Sequence, residues 1–295
     1  MTAQNMSHTV LRARETSVVI GPDQPFVMIG ERINPTNRAR LSETMESHDM
    51  TVVMRDAEAQ VAAGAQILDI NVGTAFGVES EIMPLAVRAV LSVVDVPLCI
   101  DSPDPAAIAA GLAAYRDVCG ETGKPLINST TAEPDRLDAI APLAAEFGAA
   151  VIGLTNDEEG IPETAERRFE LAVAIMDRMT NEGVSRDDLL IDGLTLTVGA
   201  DHNAALCTME VTERVTRELS LNTTSGASNV SFGLPGRKDL NTTFLAMMMT
   251  KGLTSAITNP LKTEIIATVR AVDLFLGRDP HALGWIQHFR AQLAE

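Results

Sequence analysis

Short apolar segments alternate with longer amphipathic ones along most of the chain. About four to eight apolar residues in a row are typical of a buried strand, whereas apolar residues at spacings of three and four indicate a helix with one buried face. Strand-like segments lie at 26–30, 66–70, 96–100, 125–127, 149–154, 188–191, 221–230 and 254–258. The seventh of them, 221–230, is polar where a buried strand is expected to be apolar.

The segments between the predicted strands carry helical periodicity. In 163–181, apolar residues recur at spacings of three and four, at Phe169, Val173, Met176 and Met179. This pattern predicts a helix that buries one face. Further candidates for helices are 105–115, 205–219 and 260–276.

Proline and glycine mark several of the predicted helix boundaries. Pro134 and Pro162 fall where a first helical turn is expected to begin, a position that tolerates the missing N–H group. Gly148 and Gly183 follow predicted helices, where a glycine commonly ends the helix.

Eight strand-like segments that alternate with helices indicate a parallel sheet, and eight strands close a (β/α)8 or TIM barrel. We therefore expect an α/β protein with one barrel domain over residues 26–295. An open, doubly wound sheet has the same periodicity and stays open as an alternative. Residues 1–25 form an N-terminal extension that either caps the base of the barrel or is mobile.

A polar side chain stands at or just after the end of nearly every predicted strand. These residues are Glu31, Asp69, Asn71, Asp101, Asn128, Asp192, Asn229 and Asn259. Taken singly, an Asp or Asn here is more often a turn former or helix N-cap than a ligand contact. In a barrel, however, all of these positions converge on the C-terminal face, where active sites lie. Together they predict a polar site for a neutral heteroaromatic ring that is rich in donors and acceptors.

The composition narrows the range of partners. The formal net charge is −17, and a field of that sign repels nucleic acid and anionic membranes. Aromatic residues make up 3% of the chain and leave few platforms on which bases would stack. No run approaches the roughly 18 apolar residues of a membrane helix, and residues 1–20 lack an apolar signal region. We expect a cytoplasmic protein that binds neither nucleic acid nor membrane.

Several other kinds of site lack support in the sequence. Cys99, Cys119 and Cys207 are far apart without CxxC spacing, which favours reduced thiols in a reducing compartment. The histidines show no metal-ligand spacing, so no metal site is expected. No glycine-rich phosphate loop and no GxSxG turn occurs. Composition and spacing alone indicate a barrel enzyme with a polar ligand site free of metal.

Motifs at the predicted strand ends resemble those of a known family. They are IGERIN (29–34), GAQILDINVG (64–73), CIDS (99–102), INST (127–130), GAAVIGLT (148–155), IDGL (191–194) and SNVSFGLPGR (228–237). On these motifs the chain resembles the pterin-binding methyltransferases, which comprise the methyltetrahydrofolate:corrinoid methyltransferases and the folate domain of cobalamin-dependent methionine synthase. The resemblance implies a dihydropteroate-synthase-like TIM barrel.

The resemblance also implies roles for individual side chains. Asp101, Asn128 and Asp192 match residues that hydrogen-bond the pterin edge, and a carboxylate suits the adjacent ring N–H and amino groups of a pterin. Asn229 matches an asparagine that approaches the N5 nitrogen of the folate. Arg237 matches an arginine that lies near the folate ring or its anionic glutamate tail.

The remaining strand-end residues are weaker candidates. Asp69 and Asn71 fall at the second strand and are expected behind the residues that touch the substrate. Glu31 and Asn259 follow the first and eighth strands and are expected to contact the substrate. Gly193 stands where the family commonly has a proline, which predicts a looser loop after Asp192.

The activity implied by the resemblance is transfer of the N5-methyl group between methyltetrahydrofolate and the cobalt of a corrinoid protein. Asn229 is expected to donate a hydrogen bond to N5 that strengthens as the nitrogen accepts its proton. The chain has no cobalamin-binding motif of the DxHxxG type, so the corrinoid is expected on a separate partner protein that docks over the barrel mouth. Homodimerisation is typical of the family.

Three alternatives stay open. A stand-alone folate subunit of a split methionine synthase fits the SNVSFGLP motif at 228–235 well. A dihydropteroate synthase shares the barrel and pterin site, but the segment GERINPTNR at 30–38 does not resemble that family's loop. A catalytically silent folate-binding subunit is the third, and the presence of Asn229 argues against it.

Overall fold

A computed structural model describes residues 7–294 of the chain, with side chains up to residue 290. The strands are β1 (Thr9–Arg12), β2 (Ser17–Ile20), β3 (Val27–Ile33), β4 (Ile67–Asn71), β5 (Leu98–Asp101), β6 (Leu126–Thr130), β7 (Ala150–Leu154), β8 (Leu189–Asp192), β9 (Asn222–Thr224) and β10 (Ser255–Thr258). The α-helices are α1 (Ala39–Glu46), α2 (Thr51–Ala62), α3 (Glu79–Val93), α4 (Pro105–Cys119), α5 (Pro134–Phe147), α6 (Ala165–Asn181), α7 (Ala204–Arg214), α8 (Arg237–Thr250), α9 (Thr263–Phe275) and α10 (Leu283–Ala294).

Strands β3 to β10 form one parallel sheet in which each strand lies beside its neighbour in the sequence and β10 pairs with β3. The seam between β9 and β10 is closed by backbone hydrogen bonds from Thr254 N to Thr223 O at 3.3 Å and from Ile257 N to Ser225 O at 3.0 Å. This order confirms the predicted (β/α)8 barrel and excludes the open doubly wound sheet.

Alternation along each strand divides the apolar residues between two layers. Outward-facing strand residues pack against the surrounding helices, as Leu68 and Ile191 do. Inward-facing residues fill the barrel; Ile67, Cys99 and Leu190 belong to this inner cluster. Two positions after such an inward residue, the side chain faces inward again, but now at the C-terminal end of the barrel. The polar residues at the strand ends therefore stand directly above a dry apolar interior.

The N-terminal hairpin closes the opposite end of the barrel. Strands β1 and β2 pair antiparallel, and Leu11 and Ile20 of this hairpin are fully buried in the inner cluster. Burial of a leucine side chain contributes about 2 kcal/mol. Residues 1–6 of the predicted N-terminal extension lie outside the described residues.

The polar character of the seventh strand follows from its contacts with this hairpin. Asn222 is buried, and its Nδ2 atom donates to Thr9 Oγ1 and to Ile20 O, both at 3.0 Å. Buried polar groups are stable when they are hydrogen-bonded in this way. The predicted strand over 221–230 is confirmed but is much shorter, and residues Ala227–Ser231 form a 3-10 helix instead.

Three predicted positions are corrected by the structure. Asn229 does not end the seventh strand, because it lies in the 3-10 helix after it. Glu31 does not follow the first strand, since β3 continues past it to Ile33. Pro162 does not begin α6; the helix starts at Ala165, because the Thr164 hydroxyl accepts the backbone N–H of Arg167 and caps it. Pro134 begins α5 as predicted, and Gly148 ends that helix in the left-handed conformation.

Two further properties concern the whole of the described chain. Cys99, Cys119 and Cys207 are buried free thiols. Within residues 7–294, every helix is too short or too polar to cross a bilayer.

Candidate functional site

Carboxylates and amides from neighbouring strands meet at the C-terminal mouth of the barrel. The register places Asn71 of β4 beside Asp101 of β5, and Asp101 beside Asn128 of β6. Asn71 Nδ2 donates to Asp101 Oδ2 at 2.9 Å, and Asn128 Nδ2 donates to Asp69 Oδ1 at 3.1 Å. These four predicted site residues therefore form one cluster.

The low polarity beneath this cluster changes how its acids titrate. Burial raises the pKa of Asp101 to about 6, and hydrogen bonding from Asn71 opposes that shift. Burial raises the pKa of Asp69 well above its ordinary value, and the nearby charge of Asp101 raises it further. Two neighbouring carboxylates resist simultaneous ionisation. Of the two carboxyl groups, Asp69 therefore gives up its proton less readily than Asp101.

Arg136 fixes the backbone around the cluster. Its guanidinium donates to Ser102 O at 2.9 Å and to Pro103 O at 2.6 Å, just after β5. It also donates to Ser129 O on β6, at 2.6 Å. One side chain from α5 thus holds together the two strand ends that carry Asp101 and Asn128. The sequence offered no signal for this role.

Asp192 ends β8 and is buried, with 7% of its surface exposed. Its Oδ1 atom accepts the backbone N–H of Leu194 at 2.8 Å, and its Oδ2 atom accepts that of Gly226 at 3.4 Å. Burial raises the pKa of Asp192 to about 6, and the two backbone N–H groups oppose the shift. The two hydrogen bonds fix the orientation of the side chain. Its burial raises the free energy of the ionised form.

The loop after Asp192 is held by a buried arginine. Arg168 of α6 is 1% exposed, and it donates to Gly193 O and Leu194 O, both at 2.7 Å. These charge-assisted hydrogen bonds hold the backbone at Gly193 and oppose the looseness that was predicted for this loop. A signal for Arg168 was present in the sequence. It occupies the buried stripe of α6 between Ala165 and Ala172, where an unpaired charge is not tolerated.

Asn229 and Arg237 lie on the segment that joins β9 to α8. Asn229 is exposed in the 3-10 helix. Its side chain is close to Gly226, since a Cβ atom added to that glycine would lie 3.2 Å from Asn229 Nδ2. Because Gly226 donates to Asp192, Asn229 is close to the Asp192 side of the mouth. Arg237 donates to Ser228 O and Ser231 Oγ, both at 3.0 Å. These hydrogen bonds stabilise the 3-10 helix in which Asn229 lies.

Glu31 and Asn259 lie in a cleft of about 320 Å³ that is also lined by Arg237. The cleft is bounded by β3, β10 and the first residues of α8 and α9, across the barrel from β6. Burial raises the pKa of Glu31. Asn259 Oδ1 accepts the backbone N–H of Leu261 at 3.0 Å, so this side chain also forms the turn after β10.

The donor set at the mouth suits an uncharged ring with polar edges. Amides and carboxylates dominate it, and residues 7–294 contain no group of three His, Cys, Asp or Glu side chains arranged to hold a metal. The fold and the site together define an α/β-barrel protein with a polar ligand site at its C-terminal mouth.

Comparison with known proteins identifies the family. The sequence model of the family described as pterin binding enzyme matches residues 30–259, which is most of the chain. This chain therefore belongs to the pterin-binding enzyme family. The match begins in β3 and ends just after β10, so it covers the barrel strands and every predicted site residue.

Two relatives narrow the comparison. Over 269 residues the chain is 30% identical to the methylcorrinoid:tetrahydrofolate methyltransferase of Eubacterium limosum. This match covers 90% of this chain and 96% of that protein. It is 33% identical over 262 residues to methionine synthase of Mycobacterium tuberculosis, but this match covers 84% of this chain and only 21% of that enzyme.

Solved structures show the same fold at lower sequence identity. Dihydropteroate synthase from Yersinia pestis has a TM-score of 0.63 and 19% identity, and the match covers 91% of this chain and 99% of that one. Dihydropteroate synthase from Xanthomonas albilineans with 4-aminobenzoic acid gives a TM-score of 0.62, also at 19% identity, over 92% of this chain and 99% of that chain. At this identity the likeness concerns the fold alone.

Proposed function

We propose that this protein transfers the N5-methyl group between methyltetrahydrofolate and the cobalt of a corrinoid carried by a separate protein. One observation carries the proposal. Amides and carboxylates of β4, β5 and β6 meet at the barrel mouth, and Asp192 ends β8 at the same end of the barrel, in a chain that matches a methylcorrinoid:tetrahydrofolate methyltransferase over 90% of its length.

The proposed pterin contacts follow from the hydrogen bonds that the side chains already make. Asn128 uses one N–H group on Asp69, so its Oδ1 atom and its second N–H group are left for the ligand. Asp101 and Asp192 offer carboxylate oxygens to the ring N–H and amino group of the pterin. Because both carboxylates stand over an apolar interior, hydrogen bonds to them are stronger than in water.

Asn229 is the residue that we assign to the reacting nitrogen. As the methyl–N5 bond breaks, N5 must gain a proton so that it leaves as a neutral amine. The amide of Asn229 can donate an N–H to the lone pair of N5 before protonation, and its Oδ1 atom can accept the N5–H group afterwards. The second hydrogen bond strengthens as positive charge develops on N5, so it stabilises the transition state more than the ground state. Asn229 is not an acid, so the proton comes from solvent through a hydrogen-bonded network. When bound, the corrinoid supplies the cobalt atom that exchanges the methyl group.

Exposed apolar side chains around the mouth support docking of a partner there. Phe76 follows β4 and is 89% exposed, and Phe232 follows β9 and is 68% exposed. Leu206, at the start of α7, is 61% exposed. Large exposed apolar groups that surround a site are typical of interaction surfaces. The proposal also includes a homodimer and a cytoplasmic location, and sedimentation of the pure protein tests the first of these.

The direct test mixes the pure protein with methyltetrahydrofolate and cobalt(I) cobalamin and follows the absorbance of the cobalamin. We expect methyl transfer that depends on the protein. Asn229→Ala should lower turnover ten-fold or more, which corresponds to at least about 1.4 kcal/mol of barrier stabilisation. Asn181→Ala, at an exposed asparagine that ends α6 away from the barrel mouth, is the matched control. Native turnover in Asn229→Ala would remove Asn229 from the mechanism.

The alternatives differ in what they do with the same site. A folate subunit of a split methionine synthase also transfers the methyl group from the folate to cobalamin, and the 33% identity to methionine synthase supports this alternative. It is distinguished by whether methionine forms when cobalamin- and homocysteine-binding proteins are added. A silent folate-binding subunit would bind the folate without any change in cobalamin absorbance. A dihydropteroate synthase would condense 4-aminobenzoate with a pterin diphosphate.

A further inference from the structure

The cleft beside the barrel mouth collects the unpaired lysines of the chain. Lysines occur at 124, 238, 251 and 262. Lys124 and Lys251 form ion pairs with Asp188 and Glu213, at 2.6 and 2.8 Å. Lys238 and Lys262 line the cleft, and the part of the chain that the structure describes places no carboxylate within ion-pair distance of either. In a chain with a net charge of −17, such a pair of cations is an unusual concentration of positive charge.

Two helix N-termini add to this charge. Helix α8 begins at Arg237 and α9 begins at Thr263, and neither helix has a side chain that caps its first N–H groups. The first amides of a helix carry partial positive charge and bind anions. The lysines stand at these two ends, Lys238 in the first turn of α8 and Lys262 at the N-cap of α9.

The cleft lies beside the proposed pterin site. Its inner wall includes Glu31 on β3, and the charge of Glu31 is close enough to raise the pKa of Asp69. The proposed pterin contacts on β5, β6 and β8 lie on the other side of the barrel mouth. A ligand long enough to cross the mouth from these contacts reaches the cleft at β3 and β10.

Charge is unevenly distributed along the cleft. Glu31 is partly buried at the inner end, whereas Lys238 and Lys262 are exposed at the outer lip. Glu264 also lines the cleft, in the first turn of α9, and offsets part of the positive charge. The inner part of a bound anionic ligand therefore meets charges of both signs. Carboxylates in the outer part of the ligand reach Lys238 and Lys262.

We propose that this cleft binds the γ-linked glutamate tail of the folate, and that Lys238 and Lys262 favour tails of several glutamates over a single one. This inference rests on the proposed function, because it takes the pterin at the barrel mouth as the anchor. Exposed ion pairs add little individually, but they act together on a chain that carries a carboxylate at every residue.

The test compares the monoglutamate and triglutamate forms of methyltetrahydrofolate by titration calorimetry at low salt. We expect the triglutamate to bind about 3- to 10-fold more tightly to the native protein, and this ratio to fall as salt screens the exposed charges. In the double variant Lys238→Gln/Lys262→Gln the ratio should fall close to one. Lys251→Gln removes a lysine that pairs with Glu213, away from the cleft, and should keep the native ratio.

The outcomes separate this inference from the proposed function. Equal affinity of the native protein for the two forms overturns the glutamate-tail site while the pterin site stands. A native ratio that persists in the double variant also overturns it, because the preference then arises elsewhere. If the monoglutamate and the triglutamate both fail to bind, the proposed function fails and the tail site with it. Circular dichroism of each variant shows whether the barrel is folded.

Discussion

Replacement of Asp192 by Asn should separate the binding role of this carboxylate from its effect on stability. The side chain is 7% exposed, and its pKa is about 6 in the fold against an ordinary value of 3.8. Because the folded pKa is raised, the folded state binds more protons than the unfolded state between these two values. The native protein therefore loses stability as the pH rises through that window.

The size of the effect follows from the two pKa values. A difference of about two pH units corresponds to about 3 kcal/mol, which is the cost of the ionised form in the fold. Below pH 4 the native carboxyl is protonated, so Asp192→Asn should cost only the one backbone hydrogen bond that an amide N–H group cannot accept, about 1–2 kcal/mol. Above pH 7 the variant avoids the buried charge. It loses one of the hydrogen bonds from Leu194 or Gly226, which offsets about 1–2 kcal/mol of the gain.

The assay is urea denaturation of the native and variant proteins at several pH values from 4 to 8. The difference in unfolding free energy should move in favour of Asp192→Asn by about 3 kcal/mol across this range. Methyltetrahydrofolate affinity, measured by calorimetry at pH 7.5, should fall about 100-fold, because two charge-assisted hydrogen bonds to the pterin are weakened. A stability difference that does not change with pH would refute the argument about the buried charge. Native folate affinity would refute the binding role.

Three other perturbations test the supporting parts of the site and fold. Arg168→Met should destabilise the protein by about 2–4 kcal/mol and weaken folate binding, since it leaves the carbonyl groups of Gly193 and Pro162 unpaired. Denaturation measures the first effect and calorimetry the second. Leu11→Ala should cost about 2–5 kcal/mol in urea denaturation but leave the kcat of the folded enzyme unchanged, because the hairpin lies at the opposite end from the site. Asp69→Asn should keep folate affinity within about three-fold because Asp69 ionises less readily than Asp101, whereas Asp101→Asn should lose about ten-fold or more. Equal losses in the two variants would contradict the assignment of the negative charge to Asp101.

The sequence determined the repeating part of this protein. Strand and helix periods are local, so seven of the eight barrel strands could be placed from short apolar segments, and the polar residues at or after the strand ends could be assigned to one end of the barrel. Asp101, Asn128 and Asp192 could be placed at that end, because each stands two positions after an inward-facing apolar residue. The family motifs pointed to the same positions.

Only the tertiary structure decided which distant groups support these residues. Arg168 reaches Gly193 O, and Asn222 reaches the hairpin at Thr9, across long separations in sequence. Lys238 and Lys262 share one cleft only because α8 and α9 begin side by side. Periodicity reports whether a side chain faces inward or outward, but not which residue it meets there. The partner of a long polar side chain is set by how the elements pack, and that information is not local in the sequence.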